Sequence, residues 1–333
     1  MDIAEQVLVR THRAAVRVPG AEAPYDTMHV TVRYPALEAR TDVERMSGML
    51  AADPAGAPYP VVVVLPGINV SSSGYLDLAV AVARAAMVCV TFDWVGELFP
   101  GQYGLTPGVD IGAVGPEAYG SRPTTPALGA VLAELGRMQD VGPLSGLLDL
   151  DRIGVFGHSA GGTVALQSVR TDWFPGVRAV ATYGAHTMAS QQLGYQAGTL
   201  LPAPVEVPVM LLAGTADGVV AASAIRYGEQ AGAAGHDPVE RTWREALPQA
   251  SEAWLVRLAG AGHMLPASPE DPTSARGFLE EPNSADQDHL RGVLTELVTT
   301  FFRAGLVSDA GSKAALNRWD DHRRPEIADI RRR

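Results

Sequence analysis

A serine hydroxyl attacks a carbonyl only when a backbone turn lifts it clear of the chain and a base takes its proton. Gly157-His158-Ser159-Ala160-Gly161 has the G-x-S-x-G spacing of such a turn. Glycines flank the serine because a β-carbon at those positions would collide with neighbouring backbone. The context fits: Ile153-Gly154-Val155-Phe156 reads as a strand before the turn, and Gly162-Thr163-Val164-Ala165-Leu166 as a helix after it. Ser159 is therefore the candidate nucleophile. Where a serine stands on such an elbow, an acid and then a histidine follow it along the chain. Asp217, in Gly214-Thr215-Ala216-Asp217-Gly218, and His263, in Gly260-Ala261-Gly262-His263-Met264, take those places. Each directly follows a strand pattern, so each falls at the carboxyl edge of a sheet, where open α/β sheets build their sites. Asp237 and Glu240 are rival acids farther along the same connection. An oxyanion needs two backbone donors. The amide of Ala160 is one, and Leu65-Pro66-Gly67-Ile68-Asn69 offers the amide of Ile68 as the other.

The elements that must position these residues are short apolar runs alternating with helical patterns. Val61–Leu65, Val88–Phe92, Ile153–Phe156, Ala179–Thr182, Val209–Leu212 and Leu255–Leu258 read as strands buried on both faces. Ala15–Val18 and His29–Tyr34 read as antiparallel edge strands. Thr125-Pro126 caps a helix carrying Leu128, Val131, Leu132 and Leu135 at helical spacing. A longer helix covers about Ala285 to Ala304, with a capping box at Ser284 and Gln287 and a stop at Gly305. The expected architecture is a mostly parallel central sheet with helices on both faces and no large cap domain. Residues 1–310 form a single catalytic domain on this reading, and 311–333 a basic C-terminal tail or helix.

Composition narrows the partners. A formal net charge of −11 argues against nucleic acid, whose phosphates would be repelled. The stretch from Gly311 runs the other way, with seven Lys/Arg against four Asp/Glu, and reads as a solvated terminal element. Cys89, the only cysteine, excludes an intrachain disulfide and sits in an apolar run as a buried, inert thiol. No signal peptide or membrane span is visible, so the expected location is cytoplasmic. No cluster has metal-ligand spacing, and no metal or organic cofactor is expected.

The runs Pro60–Gly67, Gly157–Gly162, Gly214–Asp217 and Gly260–His263, in that order, resemble the polyester hydrolase, chlorophyllase and platelet-activating-factor acetylhydrolase branch of the α/β hydrolases. Thr31-Val32-Arg33-Tyr34-Pro35 looks like that branch's entry strand. The resemblance covers roughly residues 24 to 305 and implies a lightly covered esterase whose oxyanion amides belong to Ile68 and Ala160. Polyester hydrolases of the branch usually carry an aromatic residue where this chain has Ile68 and a methionine where it has Ala160. They usually carry a tryptophan in the region of Tyr183-Gly184-Ala185-His186. Without those aromatics the stacking clamp for flat substrates is missing. They are also typically secreted and disulfide-bonded, whereas this chain is expected to be neither.

The leading expectation is hydrolysis of short-chain or small-molecule carboxylic esters through an acyl-enzyme intermediate. A thioesterase or amidase would use the same three side chains, and a non-catalytic binding protein would not need to keep them. An epoxide hydrolase or dehalogenase would have an aspartate at position 159. His186, Tyr103 and Met264 are candidate substrate contacts, and His158 packs behind the turn. Gly96–Pro123, rich in glycine and proline and carrying Phe99, Tyr103 and Tyr119, is expected as a loop without regular structure that overhangs the cleft and limits substrate size. Oligomeric state is not legible.

Overall fold

Runs of valine and other apolar residues with no polar interruption can only be buried on both sides, and they form the middle of one large sheet. The computed structural model describes residues 7–99, 101–228, 236–280, 285–307, 309–321 and 324–333. Its strands are β1 (Val9–Arg17), β2 (Thr27–Pro35), β3 (Tyr59–Leu65), β4 (Val88–Asp93), β5 (Val95–Phe99), β6 (Gln102–Leu105), β7 (Leu148–His158), β8 (Val177–Tyr183), β9 (Val209–Gly214), β10 (Ala253–Leu258) and β11 (Ile327–Arg332). Nine of them make one sheet in the order β1-β2-β4-β3-β7-β8-β9-β10-β11. Pairing is parallel from β4 through β10 and antiparallel at both ends.

The helices are α1 (Asp42–Ser47), α2 (Leu76–Arg84), α3 (Pro126–Met138), α4 (Ala160–Ser168), α5 (Gly218–Ala221), α6 (Pro238–Arg241), α7 (Gln287–Phe302) and α8 (Ala310–Asp321). Alternation along β3 shows how they are layered. Val61, Val63 and Leu65 pack with Leu128 and Val131 of α3 and Leu166 of α4 on one face. Val62 and Val64 pack with Leu78 and Val82 of α2 and Leu294 and Phe302 of α7 on the other. This is the mostly parallel sheet with helices on both faces that the patterns predict.

Several local expectations are corrected. Of the two strands expected at the edge, only β1 lies there; β2 lies between β1 and β4 and is buried along most of its length. Thr125 precedes α3 but makes no side-chain cap, and its hydroxyl is buried with no partner among the described residues. α7 is capped by Asp286, which accepts from the amides of Asp288 and His289, while Ser284 lies outside the described residues. The chain passes through Gly305 in a wide π-type turn over Arg303–Val307. Within 96–123, alternating side chains around Gly101 (φ 74°) form the β5–β6 hairpin, so the segment does contain regular structure.

Residues from 311 supply α8 and β11, and β11 pairs antiparallel with β10. The surplus arginines there are engaged. Arg331 pairs with Glu240 and Arg332 with Glu252, while the Arg332 guanidinium stacks 4.7 Å from the Trp254 ring centroid. Removing residues 324–333 should uncover the β10 edge and the apolar surface under Ile327 and Ile330, costing about 3 kcal/mol. Urea unfolding of the truncated chain measures this, and an unchanged midpoint would show that β11 is no structural part of the sheet.

Candidate active site

The turn from β7 into α4 places Ser159 at φ 54°, ψ −125°, a backbone region that side-chain-bearing residues rarely occupy. The surrounding glycines make it feasible. A β-carbon on Gly157 would lie 2.4 Å from the Cα of Gly162, and one on Gly161 would lie 2.1 Å from the carbonyl oxygen of Leu65. The amide of Ser159 donates to Tyr183 O at 2.9 Å, which ties the turn to the end of β8.

Three side chains from the ends of three strands meet here. His263 Nε2 lies 2.9 Å from Ser159 Oγ, and His263 Nδ1 lies 2.8 Å from Asp217 Oδ2. A carboxylate only accepts, so Nδ1 carries the proton and Nε2 is left to accept from the serine hydroxyl. The other oxygen of Asp217 accepts from Val220 N at 2.8 Å. The Asp217 and His263 side chains are each only 5% exposed, which keeps water from competing for the pair. The rival acids are engaged elsewhere: Asp237 with Arg257, and Glu240 with Arg257 and Arg331.

His158 has both ring nitrogens occupied. Its Nε2 donates to the carbonyl of His263 at 2.9 Å, and its Nδ1 accepts from Tyr75 Oη at 2.8 Å. Tyr75 Oη in turn accepts from Gly67 N at 2.9 Å. A buried relay thus runs from the loop carrying Ile68 to the backbone of His263. Among the described residues Ile68 N–H has no acceptor, while its neighbours Gly67, Asn69 and Val70 all donate. Ala160 opens α4, where an amide has no intrahelical acceptor. Ile68, Ala160, Ser159 and His263 line one cavity of about 200 Å³.

Sequence reasoning missed several supports. Gly184 (φ 60°) packs flat on the Asp217–His263 hydrogen bond, where a β-carbon would lie 2.8 Å from Nδ1 and 3.0 Å from Oδ2. Tyr183 Oη donates to Gly262 O at 2.6 Å. Glu280 accepts from Gly218 N at 3.1 Å and from Met264 N at 3.0 Å, so one carboxylate joins the loops bearing Asp217 and His263. Burial raises the Glu280 carboxyl. Gly184 had a visible signal, its place directly after a strand; Glu280, in an irregular segment, had none.

Of the candidate substrate contacts, His186 is buried in the cavity wall with its ring edge-on to Tyr227, centroids 5.0 Å apart. Met264 borders a small adjoining recess beside Ile68. Tyr103 does not line the cavity; it stacks on Tyr25 at 4.3 Å and is half exposed. Phe99 is also on the surface, and Tyr119 Oη donates to Pro202 O. The segment contributes other walls instead: Pro107, Val109, Ile111 and Val114. Cys89 is fully buried, and burial pushes its thiol up to about 12. Among the described residues no cluster of His, Cys, Asp or Glu has the arrangement of a metal site, and no helix is long and apolar enough to cross a membrane.

No family model and no curated protein matches the chain. Among solved structures it is similar to a ferulic acid esterase from Streptomyces cinnamoneus, at 19% identity, with 92% of each chain covered and a TM-score of 0.57. That likeness, with the strand order above, identifies the architecture as an α/β-hydrolase fold.

Burial lowers both His158 and His186 to about 3, against an ordinary value of 6.5. Both stay neutral in the folded chain while the unfolded chain protonates them below pH 6.5, so stability present above that pH is lost as pH falls toward 3. Each contributes a slope approaching about 1.4 kcal/mol per pH unit. Urea unfolding between neutral pH and pH 5 should show that loss, with a shallower slope in His158→Gln and in His186→Gln. Variant curves parallel to the parent would mean that these rings titrate alike folded and unfolded.

Proposed function

We propose that this chain is a serine hydrolase that cleaves carboxylic esters through an acyl-enzyme intermediate. The observation that carries the reading is the unbroken hydrogen-bond chain Asp217–His263–Ser159 opening into a cavity bordered by two amides free to donate. Ser159 Oγ attacks the ester carbonyl as His263 Nε2 takes its proton. The amides of Ile68 and Ala160 stabilise the negative oxygen of the tetrahedral intermediate. His263 then protonates the departing alcohol, and a water activated by the same imidazole hydrolyses the acyl-serine. Asp217 fixes the imidazole tautomer and stabilises its charged form. His158 is excluded as the base because both its nitrogens are already engaged. The similar ferulic acid esterase is itself an ester-cleaving enzyme, which agrees with this reading. No cofactor enters the scheme.

Ser159→Ala should abolish labelling by a fluorophosphonate without altering the fold; labelling of that variant at another serine overturns the assignment. His263→Ala should lose roughly three to six orders of magnitude in turnover, and Asp217→Asn on the order of 10⁴.

The cavity is small and walled by Ile111, Val114, Met188 and Leu201, which favours short acyl groups. The value of kcat/KM for p-nitrophenyl esters should fall steeply from butyrate to palmitate. Ile111→Ala combined with Val114→Ala should flatten that decline while acetate turnover stays within about tenfold. An unchanged length profile would assign the size limit to other walls.

A further inference from the structure

The segment Ser274–Glu280 is fastened to the site at both ends. Ser274 Oγ donates to Asn69 O at 2.9 Å, beside the loop of Ile68, and Glu280 bridges the amides of Gly218 and Met264. Between these anchors Ala275 adopts φ 52°, a left-handed conformation that non-glycine residues rarely take, and Arg276 follows it. Arg276 lines both the main cavity and the recess next to Ile68 and Ser159. Arg226, in the helical turn Ala222–Tyr227, lines the same cavity. Both arginines are half-buried.

Among the described residues, neither Arg226 nor Arg276 makes an ion pair or hydrogen bond. The chain has 37 Asp and Glu against 26 Lys and Arg, so carboxylates are in excess. Arg241, Arg257 and Arg331 nearby all hold carboxylates. Burial, and after it the like charge of Arg226, lower Arg276, while Tyr227 and Asp217 act in the opposite direction. Two guanidinium groups kept half-buried and unpaired beside a nucleophile cost stability that a bound anion would return. The planar fork of a guanidinium matches a carboxylate, and the remaining apolar walls suit a short carbon chain between that carboxylate and the ester.

We propose that Arg226 and Arg276 bind a carboxylate of the substrate, so that the preferred esters are anionic ones. This rests on the ester-hydrolase reading above and names its substrate class. The carboxylate belongs to the acyl or to the alcohol portion, and two pairs of substrates separate these. Mono-p-nitrophenyl adipate against p-nitrophenyl hexanoate tests the acyl side, and p-acetoxybenzoate against p-acetoxybenzamide the alcohol side. In one pair the charged ester should have at least tenfold higher kcat/KM, a ratio that shrinks with added salt. Arg276→Gln and Arg226→Gln should each lower that ratio about tenfold, and Arg276→Lys should retain part of it. Calorimetry with free adipate gives a readout independent of turnover: wild type should bind it, and the double variant R226Q/R276Q should not. Equal turnover of charged and neutral esters in both pairs, or a preference that survives in the double variant, overturns the inference while leaving the hydrolase reading standing. If no ester of either kind is cleaved, the hydrolase reading fails, and adipate binding alone decides whether the arginines form an anion site.

Discussion

The His263 imidazole must reach Ser159 on one side and Asp217 on the other, and a shift of 1 Å would break one of the two hydrogen bonds. The three residues come from loops after β10, β7 and β9, so their meeting depends on the register of the parallel strands. The loop of His263 has no regular structure of its own and is held by borrowed contacts. Tyr183 Oη and Gln287 bind at Gly262, His158 Nε2 binds the carbonyl of His263, and Glu280 binds the amide of Met264. Each such bond contributes about 1 kcal/mol, and together they fix a ring that a free loop would let swing.

The same economy of space shapes the backbone around the ring. Gly157, Gly161 and Gly184 stand where a β-carbon would overlap main-chain atoms or the Asp–His pair, so the site is built by letting backbone approach backbone. Behind it the polar groups are neutral and satisfied: the Tyr75 hydroxyl and the His158 ring pass a line of hydrogen bonds from Gly67 to His263. Arg226 and Arg276 are among the residues that line the cavity in front of the ring.

The residue types and spacings by themselves determined the parallel strands, the two helical layers, the elbow at Ser159 and the order Ser159, Asp217, His263, because these depend on local periodicity and on chain order. Valine runs on both faces of β3 and the apolar stripe of α7 leave little alternative to burial. Tertiary structure alone decided which side chains reach the cavity. Tyr103, a natural wall by composition, turns away to stack on Tyr25 because the β5–β6 hairpin alternates its side chains, and Ile111 and Val114 take its place. Contacts such as Glu280 with Gly218, 62 residues apart, leave no periodic trace in the chain. The presence of Arg226 and Arg276 in the cavity lining is likewise a tertiary matter: an arginine's sequence position says nothing about whether a carboxylate is near enough to pair with it.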